Sequence, residues 1–193
     1  MRGYVTVDGT IYSFLGDQEF HDVIKQSYVD VTATATEYGF ENDKIQLKVR
    51  FVSPLLLDNL ILVSRPCTYV DIAVCKKTAC EVRVEFIVSD DLVQTQKSKL
   101  VGGSFARPAT EEQPAFSYAS MGKAAQRPLG NSGDNITIDW GYVYLASEDD
   151  DTDLYYDQKN ARIGSHMEFA DSGEKGLIIA YDDLLSVNYF GQW

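Results

Sequence analysis

In the segment KIQLKVRFVS (44–53), residues 44–51 alternate without a break. Ile45, Leu47, Val49 and Phe51 fall on one side of an extended chain, and Lys44, Gln46, Lys48 and Arg50 on the other. Successive side chains of a strand point to opposite faces, so this pattern predicts an antiparallel strand with one buried and one wet face. The same period returns at 80–88, where Cys80, Val82, Val84, Phe86 and Val88 alternate with Glu81, Arg83 and Glu85. No segment carries a long apolar stripe at the helical spacing. Asp8-Gly9 lies between two apolar runs, and that dipeptide favours the positive φ angles of a tight hairpin turn. About ten short strands separated by turn signals predict an all-β, antiparallel β-sandwich with long loops and at most short helices. The 193 residues suit a single domain over 1–193, burying roughly 70% of the unfolded surface.

Along the chain, YVDVTATATEYGF (28–40) is rich in β-branched residues and predicts one long strand. Residues 18–27 are polar and suit a helical turn or a loop. SPLLLDNLILVSRP (53–66) is bounded by Pro54 and Pro66, which force extended backbone before them, and predicts a connection with little regular structure. Strands are expected at 69–75, 80–88, 136–147 and 176–181, with a short one at 116–120 inside an otherwise loop-like stretch, 89–134. Residues 155–162 suit a short helix, and 168–169 a weak strand.

The formal net charge of −12 argues against nucleic acid or an anionic membrane surface as a partner. No apolar run reaches the ~18 residues of a membrane-spanning helix, and no signal peptide is expected. Cys67, Cys75 and Cys80 lack metal-ligand spacing, and His21 and His166 are the only histidines. The odd cysteine count reads as buried free thiols, which leans towards a reducing compartment such as the cytoplasm. No cofactor or metal is expected. The chain opens inside a strand pattern and stops at Trp193 straight after an apolar segment, which reads as a domain excised from a longer parent.

Several motifs bear on chemistry. EDDDTD (148–153) lacks the Gly and distal Glu of a calcium loop and reads as a solvated acidic loop. Asp139, Asp182 and Asp183 could divide acid and base roles; the plainer reading of Asp182-Asp183 is a turn cap through side-chain to backbone hydrogen bonds. No nucleophile elbow, dinucleotide fingerprint or phosphate loop occurs. In IDWGYVYL (138–145), Trp140, Tyr142 and Tyr144 share one strand face. They suit either a carbohydrate-stacking platform or sandwich core, and the core reading is preferred.

Four blocks carry a family resemblance: VDGTIYSFLG (7–16), FVSPLLLDNLILVSRPCTYVDIAV (51–74), NITIDWGYVYLAS (135–147) and GLIIAYDDLLSVNYFGQW (176–193). In this order they resemble the N-terminal half of the fungal and bacterial glutaminase A family. The resemblance implies a β-sandwich accessory domain, followed in the parent by an (α/α) toroid similar to those of six-hairpin glycosidases. It also implies a parent that hydrolyses L-glutamine to L-glutamate and ammonia, some members being secreted. No catalytic residue is carried over.

The main expectation is therefore a domain that is not catalytic alone and packs on that downstream toroid, shaping the active-site side. Structural or interdomain candidates are Arg65, Asp139, Trp140, Tyr142, Asp182, Asp183 and Tyr189. Arg65, Asp139 and Asp183 are expected as buried or interfacial anchors, with Arg65 the candidate partner of Asp139, since a buried carboxylate needs one. The alternatives are a carbohydrate-binding module of a glycosidase-like protein and a free-standing amidohydrolase.

Overall fold

Period-two segments become strands, and the strands close into two sheets. The computed structural model describes residues 1–16, 22–95, 97–111, 114–128 and 140–184. These form β1 (Arg2–Val7), β2 (Thr10–Leu15), β3 (Asp22–Val23), β4 (Lys25–Val31), β5 (Ala35–Glu41), β6 (Ile45–Val52), the one-turn helix α1 (Leu60–Val63), β7 (Cys67–Lys76), β8 (Val82–Ser89), β9 (Leu100–Arg107), β10 (Phe116–Lys123), β11 (Tyr142–Ser147), β12 (Thr152–Asp157), β13 (Arg162–Phe169) and β14 (Gly173–Asp182). One sheet has the order β12-β13-β8-β1-β2-β3, the other β4-β5-β6-β7-β14-β11-β10-β9. Pairing is antiparallel except between β2 and β3. The result is an all-β sandwich.

The alternation predicted for β6 holds from Ile45 to Arg50: Ile45, Leu47 and Val49 are 0–1% exposed, while Gln46, Lys48 and Arg50 lie in water; Phe51 and Val52 at its end are half-buried. Asp8 and Gly9 have φ of 47° and 81°, the two positive values that a tight β1–β2 turn requires. The core between the sheets includes Phe86, Leu47, Ile72, Met121, Leu145 and Met167. Each such side chain contributes roughly 1.5–3 kcal/mol on leaving water.

Local chemistry redirects the chain where propensity alone misleads. The expected single strand at 28–40 is two strands, β4 and β5, reversed at Thr32. There the Thr32 amide donates to the Ala35 carbonyl (2.8 Å) and the Ala35 amide to Thr32 Oγ1 (3.1 Å). β-branching favours extended backbone but is blind to a side chain that closes a turn. Of the polar stretch 18–27, residues 22–23 form β3 and β4 begins at Lys25, while 18–21 lie outside the described residues. The helix expected at 155–162 is absent. Tyr155 and Tyr156 lie on β12, and the chain turns over Asp157–Ala161 into β13, with Ala161 at φ 51° and the Asn160 amide on Asp157 Oδ1 at 3.1 Å.

Part of the stretch 89–134 is also more regular than expected. β9 occupies 100–107, and β10 extends the short strand to Lys123. Of the strand expected at 136–147, residues 142–147 form β11 and 140–141 a bend; residues 129–139 lie outside the described ones. The connection 53–66 carries one helical turn, capped by Asn59, whose Oδ1 accepts from the Leu62 amide at 3.1 Å. The three thiols are free, but Cys75 is exposed and Cys67 and Cys80 are half-buried, not sequestered in the core.

Candidate docking site at one end of the eight-stranded sheet

Antiparallel pairing brings the end of β6, the start of β7, the end of β14 and the start of β11 to one end of the sandwich. The Tyr181 amide donates to the Pro66 carbonyl at 3.1 Å, and the Tyr181 hydroxyl donates to the Trp140 carbonyl. Gly141 is at φ 86°. A Cβ there would stand 2.3 Å from the Asp182 carbonyl oxygen and 2.9 Å from the Asp183 Cα, so only glycine fits. Gln126 clamps this turn. Its Oε1 accepts from the Gly141 amide, and its Nε2 donates to the carbonyls of Lys123 (2.8 Å) and Gly141 (3.2 Å).

The structure brings Trp140, Tyr142, Asp182 and Asp183 together here. Asp182 is exposed, and its Oδ1 accepts from the Leu184 amide at 2.8 Å, closing the turn after β14. Asp183 is half-buried. Arg65 is exposed, with its backbone held in the turn before β7; of the buried or interfacial settings expected for it, the buried one is excluded within this domain. Asp139 and Tyr189 lie outside the described residues, and so does the expected Arg65–Asp139 pairing. Next to Arg65 runs an apolar ledge: Leu55, Leu56, Leu57, Leu60 and Ile61 are 50–76% exposed.

The aromatic row of 140–144 is reorganised. Val143 and Leu145 face the core at 1% and 0% exposure, while Tyr142 and Tyr144 stand half-buried on the outer face of the sheet. Trp140 shares a face with neither tyrosine. Gly141 breaks the alternation, and Trp140 is buried (7% exposed) in the bend before β11. The expected core row is therefore replaced by the residues of the opposite parity.

On the outer face Tyr142 and Tyr144 join a larger aromatic group. Ring centroids are 6.5 Å apart for Tyr142–Tyr144, 6.0 Å for Tyr144–Tyr118, 5.1 Å for Tyr118–Phe105 and 5.8 Å for Tyr118–Phe116. The Arg107 guanidinium lies 4.5 Å over Phe116. Burial, together with the Asp182 charge and the neighbouring phenols, raises the Tyr144 phenol above its ordinary value. The sequence reading missed Phe116 and Tyr118, although their period-two spacing in FSYASMG was the available signal. Nothing local marked Gln126 or Tyr181, whose partners lie far along the chain.

Elsewhere, the acidic run after β11 is mostly exposed, as expected of a solvated loop, yet two of its carboxylates are tied to β14: Asp149 Oδ2 accepts from the Gly176 amide at 2.8 Å, and Asp151 pairs with the largely buried Lys175. Among the described residues no group of three His, Cys, Asp or Glu is placed to hold a metal, and no helix is long and apolar enough to cross a membrane.

A family described as a domain of unknown function, DUF5127, matches residues 34–175, more than half of the chain. The chain belongs to the DUF5127 family. No curated protein is similar enough to match it. The DUF5127 match runs from the turn before β5 into β14 and takes in Arg65, Asp139, Trp140 and Tyr142; Asp182, Asp183 and Tyr189 follow it.

Proposed function

We propose that this DUF5127 domain is the non-catalytic N-terminal β-sandwich of a glutaminase A-like hydrolase. It packs on a downstream (α/α) toroid of the same parent chain and shapes the side of that toroid's active site, where L-glutamine is converted to L-glutamate and ammonia. The observation that supports this is convergence. Three of the blocks that carry the family resemblance meet at one end of the eight-stranded sheet, through the contacts of Tyr181 with Pro66 and Trp140 and the close approach of Gly141 to Asp182 and Asp183. The ledge beside them exposes five large apolar side chains within seven residues. An exposed apolar cluster of this kind is a surface suited to a partner.

A second reading, a carbohydrate-binding module, draws on the outer aromatic group. A sugar stacks on a free ring face. Here Phe105, Tyr118 and Phe116 stack at 25–27° with centroids 5.1–5.8 Å apart and Arg107 covers Phe116, which occupies ring faces of Tyr118 and Phe116 while Phe105 stays 50% exposed. That arrangement favours packing against a protein over sugar binding. The test is ammonia release from L-glutamine by the 193-residue chain alone. None is expected, and sustained release by the chain alone would sink the accessory reading.

A further inference from the structure

The two sheets are unequal, and the excess of the larger one leaves a lined cleft. The six-stranded sheet ends in the two-residue strand β3, whereas β4 and β5 continue beyond β6 on the eight-stranded sheet. The inner faces of β5 and β6 are thus only partly roofed. Between them and β2 lies a cavity of about 120 Å³ lined by Phe14, Leu15, Gln26, Tyr38, Phe40, Val49 and Phe51. Its walls are interlocked rings: Tyr38–Phe40 stacked at 6.4 Å, Tyr38–Phe51 edge-to-face at 6.3 Å and Phe14–Phe40 tilted at 5.8 Å. No charged side chain lines it.

The backbone is built to turn one polar group into this space. Gln26 pairs with Phe40, whose side chain faces inward, and Tyr28 pairs with Gly39 on the outer face, because a bulge falls between Gln26 and Tyr28. Without it, residues 26 and 28 would share a face, since side chains alternate strictly along a regular strand. Bulges re-aim side chains in this way next to sites. Tyr28 then lies over Gly39, and its hydroxyl donates to Glu37 at 2.5 Å on the outer side. Gln26 is left facing the cavity, with the Tyr38 ring beside it.

The geometry points to a binding site for a small, neutral, single-ring aromatic molecule bearing one hydrogen-bonding group. The ring would enter among Phe14, Tyr38, Phe40 and Phe51, and its polar group would reach the Gln26 amide. Size and chemistry set this class together. An apolar cavity of ~150 Å³ takes up benzene, so about 120 Å³ with an open mouth accommodates one ring and excludes a fused polycycle. An uncharged lining rejects ions, whose desolvation nothing there would offset. A cleft with an apolar body and one placed polar group has the make-up of a small-molecule site. The inference is independent of any toroid partner.

Phenol and benzene are the probes, titrated into the chain and followed by NMR. Phenol is expected to bind saturably at millimolar concentration, with intermolecular NOEs to the rings of Phe14, Tyr38, Phe40 and Phe51. Gln26→Leu should weaken phenol several-fold and leave benzene unchanged. Leu15→Trp, at a half-exposed position that tolerates bulk, should plug the cleft and weaken both by about tenfold. Absence of saturable phenol binding, NOEs to other residues, or equal effects of Gln26→Leu on both probes would overturn the proposal. Because Gln26 is exposed, its variant retains the fold even if the Leu15 variant does not.

Discussion

Gly141 shows how much one residue decides. At φ 86° and with a Cβ position 2.3 Å from the Asp182 carbonyl oxygen, it allows the chain entering β11 to lie against the end of β14. It also rotates Trp140 out of the strand's alternation. Gly141→Ala is expected to destabilise the fold by about 2 kcal/mol or more, from the left-handed backbone alone plus the forced shift of β14. Denaturant unfolding reads this directly, as a lowered midpoint at unchanged slope. A midpoint within error of the parent's would mean the turn is not held as described. The same residue explains a failure of sequence reading. Period-two logic assumes continuous extended backbone, and one positive φ at Gly141 was enough to take Trp140 off the face that Tyr142 and Tyr144 share.

At the scale of elements, β4 is exposed along its whole length, so its interactions are open to titration. The Tyr28 phenol is pushed up to about 12, first by its hydrogen bond to Glu37, then by desolvation and the Glu37 and Asp30 charges. A raised folded value favours the protonated phenol, so its contribution is fully present below the unfolded value of ~10 and is lost as pH rises from there through about 12. Tyr28→Phe should therefore flatten the fall in stability across that alkaline window and leave the curve below it parallel to the parent's. Equal steepness in the two proteins would refute the assignment. β6 and β8 were legible in the sequence because each carries an alternating apolar run, although β8 ends with Phe86, Ile87 and Val88 all buried. The β4–β5 and β12–β13 hairpins were not, because each turn is made by a side chain, Thr32 or Asp157, that hydrogen-bonds the backbone nearby. β9 was hidden by Gly102-Gly103 and a face with few apolar residues. Its inner surface is shaped instead by close approach, with Gly102 against the Ser120 carbonyl and the Tyr156 ring.

On the scale of the whole molecule, the sandwich has two contrasting surfaces. The outer face of the β5–β7 half of the larger sheet carries charge, including Glu37, Lys48 and the Arg50–Asp71 pair at 3.7 Å. Aromatic rings occupy the half formed by β9–β11, and the leucine ledge adjoins the end where Pro66, Trp140 and Asp182 meet. The candidate site was partly legible, since Trp140, Tyr142, Asp182 and Asp183 were singled out and do lie together. Its organisers, Gln126 and Tyr181, act through partners 15 and 41 residues away, a relation that no local pattern encodes. If that end is where a toroid docks, burying the ledge would contribute roughly 1.5–3 kcal/mol per large side chain. The most direct measurement is calorimetric titration of the chain with the separately expressed helical domain of the proposed parent. Saturable one-to-one binding is predicted for the unmodified chain, weakened at least tenfold by Leu57→Asp with Ile61→Asp and unaffected by Lys48→Ala on the charged half. Binding that ignores the ledge substitutions, or no binding by a folded helical domain, would contradict the account.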